Sequence, residues 1–150
     1  MRKMKKSFKS GFRLIIAFLL LFITLSEANI FASEAIVIGN KDLSVTTLSK
    51  ETIQNIFLGQ QTTWEDGSKI KFAYLQLDPT DKIFLREYMY YTNVRYIRHW
   101  RSQVFSGKGE MPPMLQSDEE MLKFIKENKG SIGFVTSGAD TSSVKTLIVK

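Results

Sequence analysis

Lys69-Ile70-Lys71-Phe72-Ala73-Tyr74-Leu75-Gln76-Leu77 runs directly into Asp78-Pro79-Thr80-Asp81-Lys82, and this junction decides the fold. Before it, apolar residues fill both alternating sets, Ile70, Phe72 and Tyr74 on one side and Ala73, Leu75 and Leu77 on the other. A strand apolar on both faces belongs in the interior of a covered sheet. After the junction, Asp78 is placed to cap a helix, Pro79 suits the first helical position, and Asp81 falls where a capping-box acid sits. The spacing predicts a helix reaching about Tyr91. An interior strand followed at once by a helix is the building unit of an α/β domain.

The flanking sequence repeats the pattern. Ala35 to Ile38 is a short apolar run closed by Gly39-Asn40, which predicts a buried strand and a turn. Ser49 can cap a helix from Lys50, with Ile53, Ile56 and Phe57 on one face and Gly59 where a left-handed cap belongs. Downstream, Thr92-Asn93 breaks the chain before a helix whose stripe of Val94, Ile97, Trp100 and Val104 is expected to face the core, ending at Gly107. Pro113 keeps Pro112 out of helix. Ser117-Asp118-Glu119-Glu120 is a capping box opening a helix through Met121, Leu122, Phe124 and Ile125, stopped by Gly130. Ile132–Val135 and Val144–Val149 read as two more strands. The expectation is an α/β fold, a small mainly parallel sheet flanked by helices.

The N-terminus has its own grammar. Arg2, Lys3, Lys5, Lys6, Lys9 and Arg13 precede an apolar run from Leu14 to Leu25, followed by small residues at Ser26, Ala28, Ala32 and Ala35. That is the order of a secretory signal peptide, and twelve residues fall short of the ~20 that span a bilayer as a helix. Residues 1–32 are therefore expected to be a cleaved leader and residues 33–150 one exported domain, periplasmic or secreted and not membrane-spanning. The chain has 21 basic and 15 acidic residues, but the leader holds six of the basic ones and one acid, so the remainder carries about +1. The high isoelectric point thus belongs mostly to the leader, and a nucleic-acid partner is not expected. Cys is absent, which removes both a disulfide framework and a lipid attachment point.

Catalytic chemistry is poorly supplied. His99 is the single histidine, flanked by Arg98 and Arg101 and read as a surface residue. No nucleophile–base pair can be assembled around it. One imidazole and no thiolate leave no metal set, and no cofactor is expected. Ser106-Gly107-Lys108-Gly109 lacks the frame of a phosphate loop and follows a helix rather than a strand. Arg95, Arg98 and Arg101, interleaved with Tyr96 and Trp100, read as a solvated helix face. What remains is the rim at the strand ends, where Gly39-Asn40-Lys41 and the loop from Asp78 to Lys82 would offer backbone N–H groups to an anion.

Ordered motifs add a family likeness. Leu48-Ser49-Lys50-Glu51, Ile56-Phe57-Leu58-Gly59, Trp64-x-Asp66-Gly67, Trp100, Phe105-Ser106-Gly107-Lys108-Gly109, Pro112-Pro113 and Gly130-x-Ile132-Gly133-Phe134-Val135 resemble the phosphate-binding components of bacterial ABC importers. They resemble small stand-alone relatives of those proteins more closely still. The resemblance implies one lobe of a type 2 periplasmic binding protein, non-catalytic, with inorganic phosphate or a similar oxyanion as ligand and a transporter or sensor protein as partner. The expected ligand residues are Asn40, Thr80, Asp81 and Lys82.

The ligand loop departs from the family. Phosphate-holding members carry Ser-Gly-Thr-Arg or a near variant where this chain has Pro79-Thr80-Asp81-Lys82, and the nearest arginine is Arg86. Lys82 retains a cation but not arginine's bidentate fork. Asp81 at ~4 Å would repel a singly charged anion by about 4 kcal/mol at an effective dielectric of ~20. A helix terminus returns only ~0.3–1 kcal/mol, up to ~2 when partly buried. A carboxylate can instead accept the proton of hydrogen phosphate, a device implied by the resemblance to the larger relatives. A single lobe also leaves its rim open to water. The alternative expectation is a structural or protein-interaction module that keeps the fold and has lost the ligand.

Overall fold

The computed structural model describes residues 34–150, so the leader expectation lies outside the described residues. The elements in chain order are β1 (Ala35–Gly39), β2 (Thr47–Leu48), α1 (Lys50–Phe57), β3 (Lys71–Phe72), β4 (Tyr74–Leu75), α2 (Thr80–Phe84), α3 (Asn93–Phe105), β5 (Met114–Leu115), α4 (Asp118–Glu127), β6 (Ser131–Thr136), β7 (Lys145–Thr146) and β8 (Ile148–Val149). The architecture is α/β, a single small lobe.

The central sheet has the order β3-β6-β1-β7. β3 runs parallel to β6, while β1 runs antiparallel to both β6 and β7. Three of these four strands therefore point one way, and β1 alone is reversed. Two short parallel pairs, β4 with β5 and β2 with β8, extend the arrangement. The expected mainly parallel character holds for strand direction, yet the longest pairing, Ala35–Gly39 with Ile132–Thr136, is antiparallel. Helical crossovers constrain strands that follow each other in sequence. They say nothing about β1, whose neighbours lie about a hundred residues away.

Local sequence explains each helix. Ser49 Oγ accepts from Thr52 N at 3.0 Å, and Ile53, Ile56 and Phe57 are fully buried. Thr92 caps α3 by accepting from Arg95 N, and Ser117 caps α4 by accepting from Glu120 N. The return bond of that capping box goes to Gln116 N, which donates to Glu120 Oε2 at 2.7 Å.

Two expectations about helices are corrected. α2 and the wider helical turn that continues it over Leu85–Met89 reach Tyr90, φ 55°, close to the expected end, but the expected cap is not formed. Pro79 occupies its cap and no side chain bonds there; Asp78 instead pairs with Lys82 at 2.6 Å. On α3 the core-facing residues are Tyr96 and Trp100, while Val94 and Val104 point to solvent. Tyr96 and Trp100 win because both donate to the Phe57 carbonyl, at 3.1 and 3.2 Å, and fix the rotation of the helix.

The core is strongly aromatic. Phe84 stacks on Phe134 with centroids 3.8 Å apart, which seats α2 on the sheet. Phe57 packs against Phe72, Phe84 and Phe134, and Tyr74 stacks on Tyr96 at 4.7 Å. Such pairs add about 0.5–1.5 kcal/mol beyond their buried area.

Candidate functional site

The strands place the expected ligand residues at two ends of the sheet. β3 and β4 lead toward Asp78–Lys82, alongside the end of β6 at Thr136. Because β1 is reversed, its last residue pairs with Ile132 near the start of β6. Asn40 therefore sits at the opposite rim from Thr80. There Asn40 N donates to Ser131 O, its Nδ2 donates to Ile125 O at 2.8 Å, and its Oδ1 accepts from Asp42 N. Its polar atoms are consumed in tying β1 to the end of α4. The structure brings together Thr80, Asp81 and Lys82, and leaves Asn40 out.

Where Thr80–Lys82 open α2, three backbone donors are engaged. Asp81 N donates to Leu77 O, Ile83 N to Pro79 O, and Lys82 N to Oδ1 of Asp81 at 2.8 Å. The second carboxylate oxygen, Oδ2, accepts from Asn93 Nδ2 at 2.5 Å. Asp81 is 3 % exposed, so its carboxylate occupies a buried position lined by N–H donors. Each hydrogen bond to a charged group contributes about 1.5–3 kcal/mol, which offsets the cost of burying the charge. Asn93 was not foreseen as a member of this set. Its only sequence signal is its place next to a helix cap, twelve residues beyond Asp81.

The charge around the loop is negative. Lys82 Nζ is spent on Asp78, an exposed pair worth at most about 1 kcal/mol. Its ammonium is held above the ordinary lysine range, first by the hydrogen bond to Asp78. At the end of β6, Thr136 N and Oγ1 both donate to the Asp118 carboxylate. Asp78 and Asp81 thus stand beside Lys82, and Asp118 at the end of β6. Burial, and next the Asp81 carboxylate, push the Tyr74 hydroxyl well above its usual range.

Among the described residues two buried hydroxyls have no partner, those of Thr80 and Tyr74. His99, read as a surface residue, is half-buried with Nε2 3.0 Å from Leu58 O and its ring edge-on to Trp100. It braces α3 on the end of α1. Among the described residues no cluster of His, Asp and Glu could hold a metal ion, and no helix is long and apolar enough to cross a membrane.

The described residues thus form a small α/β lobe with a strand-to-helix junction at one sheet rim. No protein-family model and no curated protein matches the sequence. Solved structures do match. An ABC-type phosphate transport receptor from Vibrio cholerae aligns at a TM-score of 0.54 and 19 % identity over 78 % of this chain and 46 % of its own. A phosphate ABC transporter substrate-binding protein from Clostridium perfringens, solved with bound phosphate, aligns at 0.59 and 15 % identity, over 78 % and 45 %. PstS from Borrelia burgdorferi aligns at 0.52 and 14 %, over 79 % and 47 %. The chain shares the fold of these solute-binding proteins and spans about half the length of each.

Proposed function

We propose that this chain is an exported, non-catalytic, solute-binding-like protein that acts as a protein-interaction module, its anion loop filled by its own Asp81 carboxylate. One observation carries the reading: the buried Asp81 accepts from both Lys82 N and Asn93 Nδ2. Two donors at this junction already hold an anion, the chain's own carboxylate. A second anion beside it would meet about 4 kcal/mol of repulsion at ~4 Å and an effective dielectric of ~20. Export is supported by the leader grammar of residues 1–32, and the absence of catalysis by the lack of any nucleophile–base pair.

A second reading has its own support. The Thr80 hydroxyl, at the position matching the family's ligand motif, is buried and unpartnered. Phosphate or a similar oxyanion could use it if Asp81 left its seat or took the proton of hydrogen phosphate. Thermal melting separates the two, since a ligand that binds only the native state raises the melting temperature. The module reading expects a flat response to phosphate in the native chain; a saturable rise that Thr80→Ala abolishes would replace it with the oxyanion reading.

A further inference from the structure

The solvent side of α3 is an unusual surface. Val94 is 68 % exposed and Phe105 is 91 % exposed, although both are large apolar residues on an ordered helix. Arg98 and Arg101 lie between them and are also exposed. Val94, Arg98, Arg101 and Phe105 stand at i, i+4, i+7 and i+11, so they share one stripe along the helix. Tyr96 and Trp100, on the other side, lock that stripe outward through the Phe57 carbonyl.

The charges on this helix are unbalanced. Asn93–Phe105 carries Arg95, Arg98 and Arg101 and no acid. Among the described residues none of these guanidiniums pairs with a carboxylate, and Arg95 rests over the Tyr91 ring at 4.3 Å. Arginine's planar fork matches a carboxylate in two parallel hydrogen bonds. Spacing of four, three and four residues is the seam against which a second helix packs.

We propose that the Val94–Arg98–Arg101–Phe105 stripe of α3 is a docking surface for an acidic amphipathic helix of a partner protein, with carboxylates opposite the two arginines and apolar residues opposite Val94 and Phe105. The proposal rests on reading the chain as an interaction module and names the chemistry of the partner. A protein helix fits better than an anionic lipid surface. Both tryptophans, the residues most suited to a membrane interface, are buried, and α3 is fixed in rotation and cannot roll its apolar residues into lipid.

The test uses the full chain and a fluorescein-labelled helical peptide with leucines at both ends and glutamates between them, read by anisotropy. A control peptide carries lysines in place of the glutamates, and vesicles of phosphatidylcholine and phosphatidylglycerol form a third arm. The acidic peptide is expected to bind saturably, to weaken as salt rises, and to lose about tenfold or more in affinity with Arg98→Glu/Arg101→Glu, tenfold corresponding to about 1.4 kcal/mol. The lysine peptide should gain on that variant. Phe105→Ser, at a site too exposed to affect folding, should weaken the acidic peptide as well. Equal binding of both peptides, unchanged binding by the variants, no binding, or arginine-dependent sedimentation with vesicles alone each overturns the proposal. Phosphate melting reads the loop and the peptide reads α3. A silent peptide with a flat phosphate response removes only this surface, whereas a saturable phosphate response removes the reading beneath it.

Discussion

Asn93 Nδ2 donates to Oδ2 of Asp81 at 2.5 Å, tying the first residue of α3 to the loop that follows β4. Asp81→Ala removes that acceptor and the one used by Lys82 N. Stranding two donors should cost about 1–3 kcal/mol or more, seen as a lower urea midpoint with an unchanged slope. Asn93→Ala should also destabilise, because it removes a partner from a buried charge. Neither variant losing stability would mean that the carboxylate is not held as described.

Gly59 and Gly67 provide an internal comparison. Both have positive φ, 73° and 80°, where a side chain costs about 1–2 kcal/mol. A Cβ on Gly67 meets nothing within 4 Å, whereas one on Gly59 lies 2.8 Å from the Trp100 ring. Gly59→Ala should therefore be the worse by about 1–3 kcal/mol of overpacking. Equal losses in thermal melts of the two variants would show that Trp100 does not abut this turn.

The Phe57 carbonyl accepts from Tyr96 Oη and Trp100 Nε1. Tyr96→Phe leaves it one partner and should cost about 0.5–1.5 kcal/mol. Removing both donors leaves it without either, so a double-mutant cycle with Trp100→Phe should show more than additive loss. Strict additivity would mean that the two bonds do not share the acceptor.

Alkaline pH should unfold the protein through its buried phenols. Burial pushes the Tyr96 hydroxyl up, and burial plus Asp81 does the same for Tyr74. A folded value raised above the unfolded ~10 gives stability that is complete below pH ~10 and lost as pH rises past it. The melting temperature should hold near neutrality, then fall above about pH 10, less steeply in Tyr96→Phe. Tyrosinate absorbance rising for all five tyrosines at the ordinary pH, with the fold intact, would contradict this.

Much of the fold was legible because its signals are local. Ser49 and Ser117 announce helix starts through their own side chains, and Gly59 and Gly130 mark stops. β2 and β5, two residues each, carry too little pattern to be read. The reversed β1 depends on neighbours far along the chain. The face of α3 was misread because Val94, Ile97 and Val104 outnumber Tyr96 in apolar residues, while the deciding contact, a shared carbonyl on α1, has no sequence signature. The candidate site was half legible. Thr80, Asp81 and Lys82 are neighbours in sequence and open α2 at one rim, but Asn40 was assigned to a shared rim that only a parallel β1 would create.

The most direct test is a nitrogen-15 NMR titration with phosphate, following the Lys82 amide and the Asn93 side-chain amide. The account predicts that both signals stay in place, because Asp81 already accepts from each. It predicts that Asp81→Asn makes the Lys82 amide respond more than in the native chain. A saturable shift of these two signals in the native protein would contradict the central claim, since it would show phosphate taking the seat assigned to Asp81.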